Sequence, residues 1–263
     1  MHRLLVGSVA LAALIATPTL AADMAVKARP PALAPACVWC GWYVGGNVGG
    51  AWDAHTSSSF SGDPATAPYF AVNEFPSSLS PNARGVLGGG QIGYNWQVAP
   101  NFILGLEADI QGSGYKGTAT ATPNPTGGYV QFSTSAEQQS NWFGTARARA
   151  GFLPSPNLLI YGTGGLAYGQ TEVGFNTFPA AFACGGGYTC ASGSSSTTRA
   201  GWTAGGGFEW MFAPHWSVKA EYLFLDLGSQ SVTAAVPYEP IYSFTASAPF
   251  RENVVRGGLN WHF

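Results

Sequence analysis

Charge is what this sequence has least of. Asp, Glu, Lys and Arg make up 9% of its 263 residues, against roughly 25% in soluble domains. The formal net charge is -2, so nucleic acid is not an expected partner. Long charge runs are missing and apolar residues recur throughout, which excludes a disordered chain. Long hydrophobic runs are also missing. The one continuous stretch, 4–16, is too short to cross a bilayer as a helix, so a helical membrane protein is excluded. Chemistry-bearing residues are few, with four His and four Cys. His2 lies in the N-terminal apolar stretch, His55 in a loop, His215 in a turn and His262 near the end of the last strand. None is placed on the outer half of a strand beside a Ser and an acid, so no enzyme is expected. The composition suggests no metal or cofactor.

What is present is aromatic residue and glycine: 14% Phe, Trp and Tyr, and 36 Gly. The pattern is plainest in 251–263 (RENVVRGGLNWHF), where Val255, Gly257, Leu259, Trp261 and Phe263 form one row. Glu252, Arg256, Asn260 and His262 form the other, so this is a strand with two unlike faces. The same alternation predicts strands over 42–52, 84–98, 102–115, 138–152, 158–173, 200–212 and 216–228. In the first of them Trp42 and Trp52 stand about 25 Å apart along a tilted barrel axis, the height of a lipid-facing band between aromatic girdles. Short turns near 99–101, 153–157 and 213–215 alternate with long polar loops over 53–83, 116–137, 174–199 and 229–250. Together these features predict an all-β fold, an eight-stranded antiparallel transmembrane β-barrel with short periplasmic turns and long extracellular loops. A lipocalin-like inversion is disfavoured, because the aromatic row is too bulky for a small lumen.

The expected organisation is a signal peptide over 1–22, with Arg3 before the apolar core and small residues through Ala21 and Ala22. A Pro/Ala-rich periplasmic segment over 23–41 and the barrel over 42–263 follow. The row facing the lumen gathers four acids, Glu107, Asp109, Glu209 and Glu221, and four bases, Arg147, Arg149, Lys219 and Arg256. Equal numbers favour pairing, and an eight-stranded interior is just wide enough for side chains to fill. Tyr43, Tyr161 and Gln91 are expected to occupy much of the remainder, so the lumen is read as plugged.

Two motifs need weighing. Residues 162–167 (GTGGLA) match a dinucleotide-binding fingerprint, but a helix and a later acid are required. The following residues continue as strand, and Asp and Glu are absent over 174–207. Cys37 and Cys40 form a C-x-x-C pair, read as a structural disulfide over a redox site or half a zinc site. Strand parity puts these two at the periplasmic end and Cys184 and Cys190 in an outer loop. Cross-pairing would have to span about 30 Å of bilayer, so only local pairings are expected.

The stretches GWYVGGNVGGAW (41–52), GGQIGYNWQVAPNFILGLEAD (89–109), WFGTARARAGF (142–152), LIYGTGGLAYG (159–169) and SVKAEYLFLDLG (217–228), with the final NWHF, resemble the alphaproteobacterial Omp25/Omp31 family of small outer-membrane proteins. The resemblance implies an abundant, host-exposed surface protein of the Gram-negative outer membrane that supports envelope integrity. Family members are often labelled porins and some relatives bind haemin, so a porin for small solutes and a haemin-binding surface protein are the alternative functions. The closing row Val255, Leu259, Trp261 and Phe263 resembles the segment that the barrel assembly machinery recognises. Outer-membrane lipids and that machinery are expected partners, with peptidoglycan or a host surface as further candidates.

Overall fold

The computed structural model describes residues 37–127, 130–179, 191–237 and 239–263. The chain opens with β1 (Gly41–Asp53). The first loop then forms β2 (Ser58–Gly62), the short helix α1 (Ala67–Ala71) and β3 (Ser78–Leu79). Seven strands follow: β4 (Arg84–Ala99), β5 (Phe102–Ala121), β6 (Phe132–Ser155), β7 (Leu158–Pro179), β8 (Ala191–Ala213), β9 (Trp216–Val236) and β10 (Glu239–His262). β1 pairs antiparallel with both β4 and β10, so β1 and β4 to β10 close an eight-stranded ring. Tyr43 lies opposite His262, and Trp42 opposite Tyr94. Closure leaves no unpaired edge in the ring, the condition for crossing a bilayer with strands.

The two-residue period sets the faces. Trp42, Val44, Val48 and Trp52 are exposed on the outside of β1, while Tyr43 and Asn47 are buried within. The short connections are Pro100-Asn101, Pro156-Asn157 and Pro214-His215. The second is tighter than the turn expected over 153–157, because Leu153 is buried and continues the inward row of β6. His215 adopts a left-handed φ of 68°, and its ring stacks on Trp261 at 5.3 Å.

Two expectations need correction. Much of the expected long loops is strand. β6 is 24 residues long, which at about 3.3 Å per residue and a tilt near 40° rises about 60 Å, far beyond an apolar band of about 25 Å. The physical reason is that the Ser/Thr-rich stretches still alternate: Phe132, Thr134, Ala136 and Gln138 are buried in turn, so the ladder continues above the membrane. The lumen also changes character along its axis. Charged residues with Tyr43, Tyr161 and Gln91 were expected to fill the lumen, yet Tyr115, Phe143, Leu223, Leu225, Leu227 and Val254 are also buried inside, above the charged residues. Residues 1–22, expected to form a signal peptide, and Cys184 and Cys190, expected in an outer loop, lie outside the described residues.

The first loop folds back over this apolar layer. Phe60, Phe75 and Leu79 join the same cluster, and Asp63 ties the loop to β10. Its carboxylate accepts from Thr66 N–H and Oγ1–H, both at 2.8 Å, and from Ser243 N–H at 2.9 Å and Oγ–H at 3.0 Å. These bonds, the Thr66 hydroxyl foremost, hold the Asp63 carboxyl below its ordinary value of 3.8. A lowered folded-state pKa means that the tie is complete above the ordinary value and is lost as pH falls through the lowered one. The Ser243 amide resonance is therefore expected to move under acid titration below 3.8 in the wild type and to be insensitive to it in Asp63→Asn.

Candidate functional site

The centre of the barrel is an ionic layer. Its register makes three oppositely charged pairs direct cross-strand neighbours: Glu107 with Arg147, Glu209 with Lys219, and Glu221 with Arg256. Other contacts cross the lumen. Arg149 Nη2 donates to Glu209 Oε2 at 2.7 Å, Lys219 Nζ to both Glu107 oxygens at 2.9 Å, and Arg256 Nη2 to Asp109 Oδ2 at 2.9 Å. Arg147 is the hub. It bonds Glu107, Asp109 at 3.1 Å and Glu221 at 2.9 Å, with its side chain fully buried. All eight charged residues are buried, as ionised groups in a confined interior must be paired to be tolerated.

Neutral side chains complete the layer. Tyr43 Oη–H donates to Glu107 at 2.7 Å and accepts from Arg149 at 2.8 Å, while Tyr161 donates to Glu221 at 3.1 Å. The Arg149 guanidinium also lies 4.1 Å from the Tyr161 ring centroid, a cation–π contact. A chain of amides runs from Asn47 through Gln91 and Asn260 to Glu209, at 2.8, 2.6 and 2.7 Å. Space for the rings comes from glycine: a Cβ on Gly93 would collide with the Tyr43 ring. In the dinucleotide-like stretch, Gly162 and Gly165 sit in β7 paired on both sides, and a Cβ on Gly165 would collide with the Ala146 carbonyl.

Trp39 is buried at the periplasmic end. Cys37 and Cys40 are disulfide-bonded with Cα atoms 5.4 Å apart, and the short loop between them carries Trp39 into the mouth. The indole is 1% exposed and packs among Ile103, Leu153, Leu159, Tyr161 and Met211. Its N–H donates to the Pro156 carbonyl at 2.9 Å, and its ring meets His262 edge-on at 5.7 Å. The sequence contained the C-x-x-C loop but no sign that its Trp would turn inward. Trp39→Ala is expected to lower stability by about 3 kcal/mol, the low end for a buried Trp, because water can enter the mouth and fill the gap. Urea unfolding in detergent measures this, with Val38→Ala, at an exposed site, expected to unfold with the wild type.

His262, Ser217 and Glu209 meet just inside Trp39. Ser217 Oγ lies 2.9 Å from His262 Nε2 and donates to Glu209 at 2.5 Å. The order is wrong for nucleophilic catalysis. The hydroxyl and the carboxylate both meet Nε2, Glu209 Oε1 at 3.4 Å, while among the described residues Nδ1 has no partner, so no acid orients the imidazole through its second nitrogen. All three are buried.

Of the closing-strand residues, Val255 and Leu259 are exposed on the outer face, and Trp261 meets Trp216 edge-on at 4.9 Å. Phe263 is 70% exposed, while its N–H donates to the Trp42 carbonyl at 3.0 Å. Among the described residues no group of His, Cys, Asp and Glu is arranged to hold a metal ion.

The chain is 37% identical to the 31 kDa outer-membrane immunogenic protein of Brucella melitensis, over 96% of this chain and 97% of that protein. It is 29% identical to the 22 kDa outer membrane protein of Rhizobium leguminosarum, over 66% of each chain. It is also similar to the crystal structure of OprG from Pseudomonas aeruginosa, at 10% identity and a TM-score of 0.43, covering 85% of this chain and 97% of that one. The model of the outer membrane protein beta-barrel domain matches residues 8–263. With the closed ring, the apolar outer face, the family model and the Brucella relative, the chain belongs to the outer membrane protein beta-barrel domain family and is a protein of the bacterial outer membrane.

Proposed function

We propose that this protein is a non-enzymatic surface barrel that supports the envelope and whose lumen does not conduct. One observation carries the reading: the eight charges of the central layer are paired across the lumen with every one buried, so this layer offers no unpaired charge to a hydrated ion. The apolar layer above and Trp39 below support it. A conducting path would have to displace all three, and open aqueous channels belong to barrels of about 16 strands. Outer-membrane lipids then meet the aromatic outer face, the assembly machinery acts on β10, and the raised hairpins offer a surface to a host or to neighbouring envelope components. The likeness to an immunogenic outer-membrane protein is consistent with that exposure. The test is planar-bilayer recording of the refolded protein with and without haemin. Absent or very small conductance in both is expected. Steady ion-selective conductance would establish the porin reading instead, and a haemin-dependent change would establish a binding role.

A further inference from the structure

The first loop builds a cavity that the closed lumen does not use. After α1, Asn73 takes a left-handed φ of 61° and the Glu74 N–H donates back to the Tyr69 carbonyl at 3.0 Å. This reversal sends Glu74 and Phe75 inward. Phe75 wedges between Phe132 and Phe244, each with ring centroids 4.7 Å away, and Tyr69 meets Tyr242 edge-on at 5.9 Å. The five rings, Thr66 and Glu74 bound a cavity of about 80 Å³ on the extracellular side.

Glu74 is the anomaly in this wall. It is 5% exposed, and among the described residues its Oε2 has no hydrogen-bond partner and its carboxylate forms no ion pair. A carboxylate is costly to bury unless a cation or donors meet it. Burial pushes its pKa up, which a bound positive charge would reverse. Aromatic faces are negative and attract cations. The wall therefore presents one acid, the Thr66 side chain and several ring faces, with no basic group among the described residues. A bare ammonium would need three acceptors and would lose its hydration, whereas a methylated ammonium carries its charge beneath an apolar skin. Anions are disfavoured by Glu74, and among the described residues no group of His, Cys, Asp and Glu is arranged here to hold a metal ion.

We propose that this cavity binds a small cation bearing a methylated ammonium group, with the charge against Glu74 and the methyl groups against the rings of Tyr69, Phe75, Phe132, Tyr242 and Phe244.

The test is calorimetric titration of the full refolded chain with choline, in a maltoside detergent that lacks an ammonium headgroup. Saturable binding is expected, weakened by about tenfold or more when choline is replaced by its uncharged tert-butyl isostere and again in Glu74→Gln. The Ser243 amide resonance reports whether the first loop of the variant is still held in place. If it is not, the comparison of choline with the isostere on the wild-type protein decides alone. Competition by phosphatidylcholine vesicles would assign the group to a lipid headgroup, and its absence to a free solute; the recognised chemistry is the same in both. Lack of saturable binding at millimolar choline, equal affinity for the isostere, or wild-type affinity in a correctly folded Glu74→Gln would overturn the proposal. Conductance plays no part in this outcome, so it stands or falls separately from the closed-lumen reading.

Discussion

Arg147→Ala is expected to lower the unfolding free energy of the barrel by about 3–5 kcal/mol, the cost of leaving buried charges without their partner. The reason lies in how many acids share this one cation. Its guanidinium bonds Glu107, Asp109 and Glu221 at once. Lys219 and Arg256 still reach those acids after the substitution, but four carboxylates then face three cations in a space closed to solvent. Arg147→Lys is expected to recover only part of the loss, because an ammonium cannot reproduce a planar fork aimed at several carboxylates. The internal control is Lys116 with Glu137, a pair 2.6 Å apart whose side chains are 55% and 44% exposed. Lys116→Ala is expected to change stability by no more than about 1 kcal/mol. Urea titration of heat-modifiable mobility measures all three variants. If Arg147→Ala unfolds together with the wild type and conductance is also unchanged, the closed-lumen reading fails.

That prediction uses both what the sequence displays and what it hides. Alternation is legible because one face meets lipid and the other does not, so a two-residue period assigns Glu107, Arg147 and Glu221 to one row without coordinates. The partner of each charge is not legible. Glu107 with Arg147 depends on strand register, and Lys219 with Glu107 depends on which strands face each other across the ring. The extended hairpins were missed because Ser and Thr alternate with Ala and Gln too mildly to stand out, although burial follows the same period. The inward aromatic and aliphatic layer was missed for a different reason. In 222–225 (YLFL) both rows are apolar, Tyr222 being exposed outside and Leu223 and Leu225 buried inside, so the contrast that reveals a strand's faces vanishes. Trp39 and Glu74 lie in irregular segments where no period applies, and only packing shows them.

Deletion of Phe263 is expected to abolish assembly into the outer membrane while removing almost none of the folded barrel's packing. The two halves of that statement come from its position. The side chain is 70% exposed, and its one backbone bond, to Trp42, adds a single rung to a ladder that already pairs Tyr43 with His262 and Asp53 with Glu252. A loss confined to stability would therefore be small. A loss of recognition by the assembly machinery would be complete, since β10 must be presented before it can meet β1. Trp261→Asp separates the two further. An acid near the interface costs less than about 1 kcal/mol, and the lost contacts are two ring pairs, edge-on with Trp216 and stacked with His215, yet the variant is expected to accumulate unassembled. Both chains should still refold in detergent with heat-modifiable mobility. Normal outer-membrane levels of both variants would refute the role given to these residues.

The seating of Trp39 has a mechanical consequence. Tension on the polypeptide before Cys37 meets the short disulfide loop before it reaches the first rung at Gly41 and Tyr43. The indole is held by the β6–β7 turn at Pro156 and by the ring of His262 on β10, so a pull on one end of the chain is divided between the middle of the sequence and its far end. Extraction of one side chain from its socket is therefore expected to be the first event under load, with the strand ladder taking the force after that anchor has slipped.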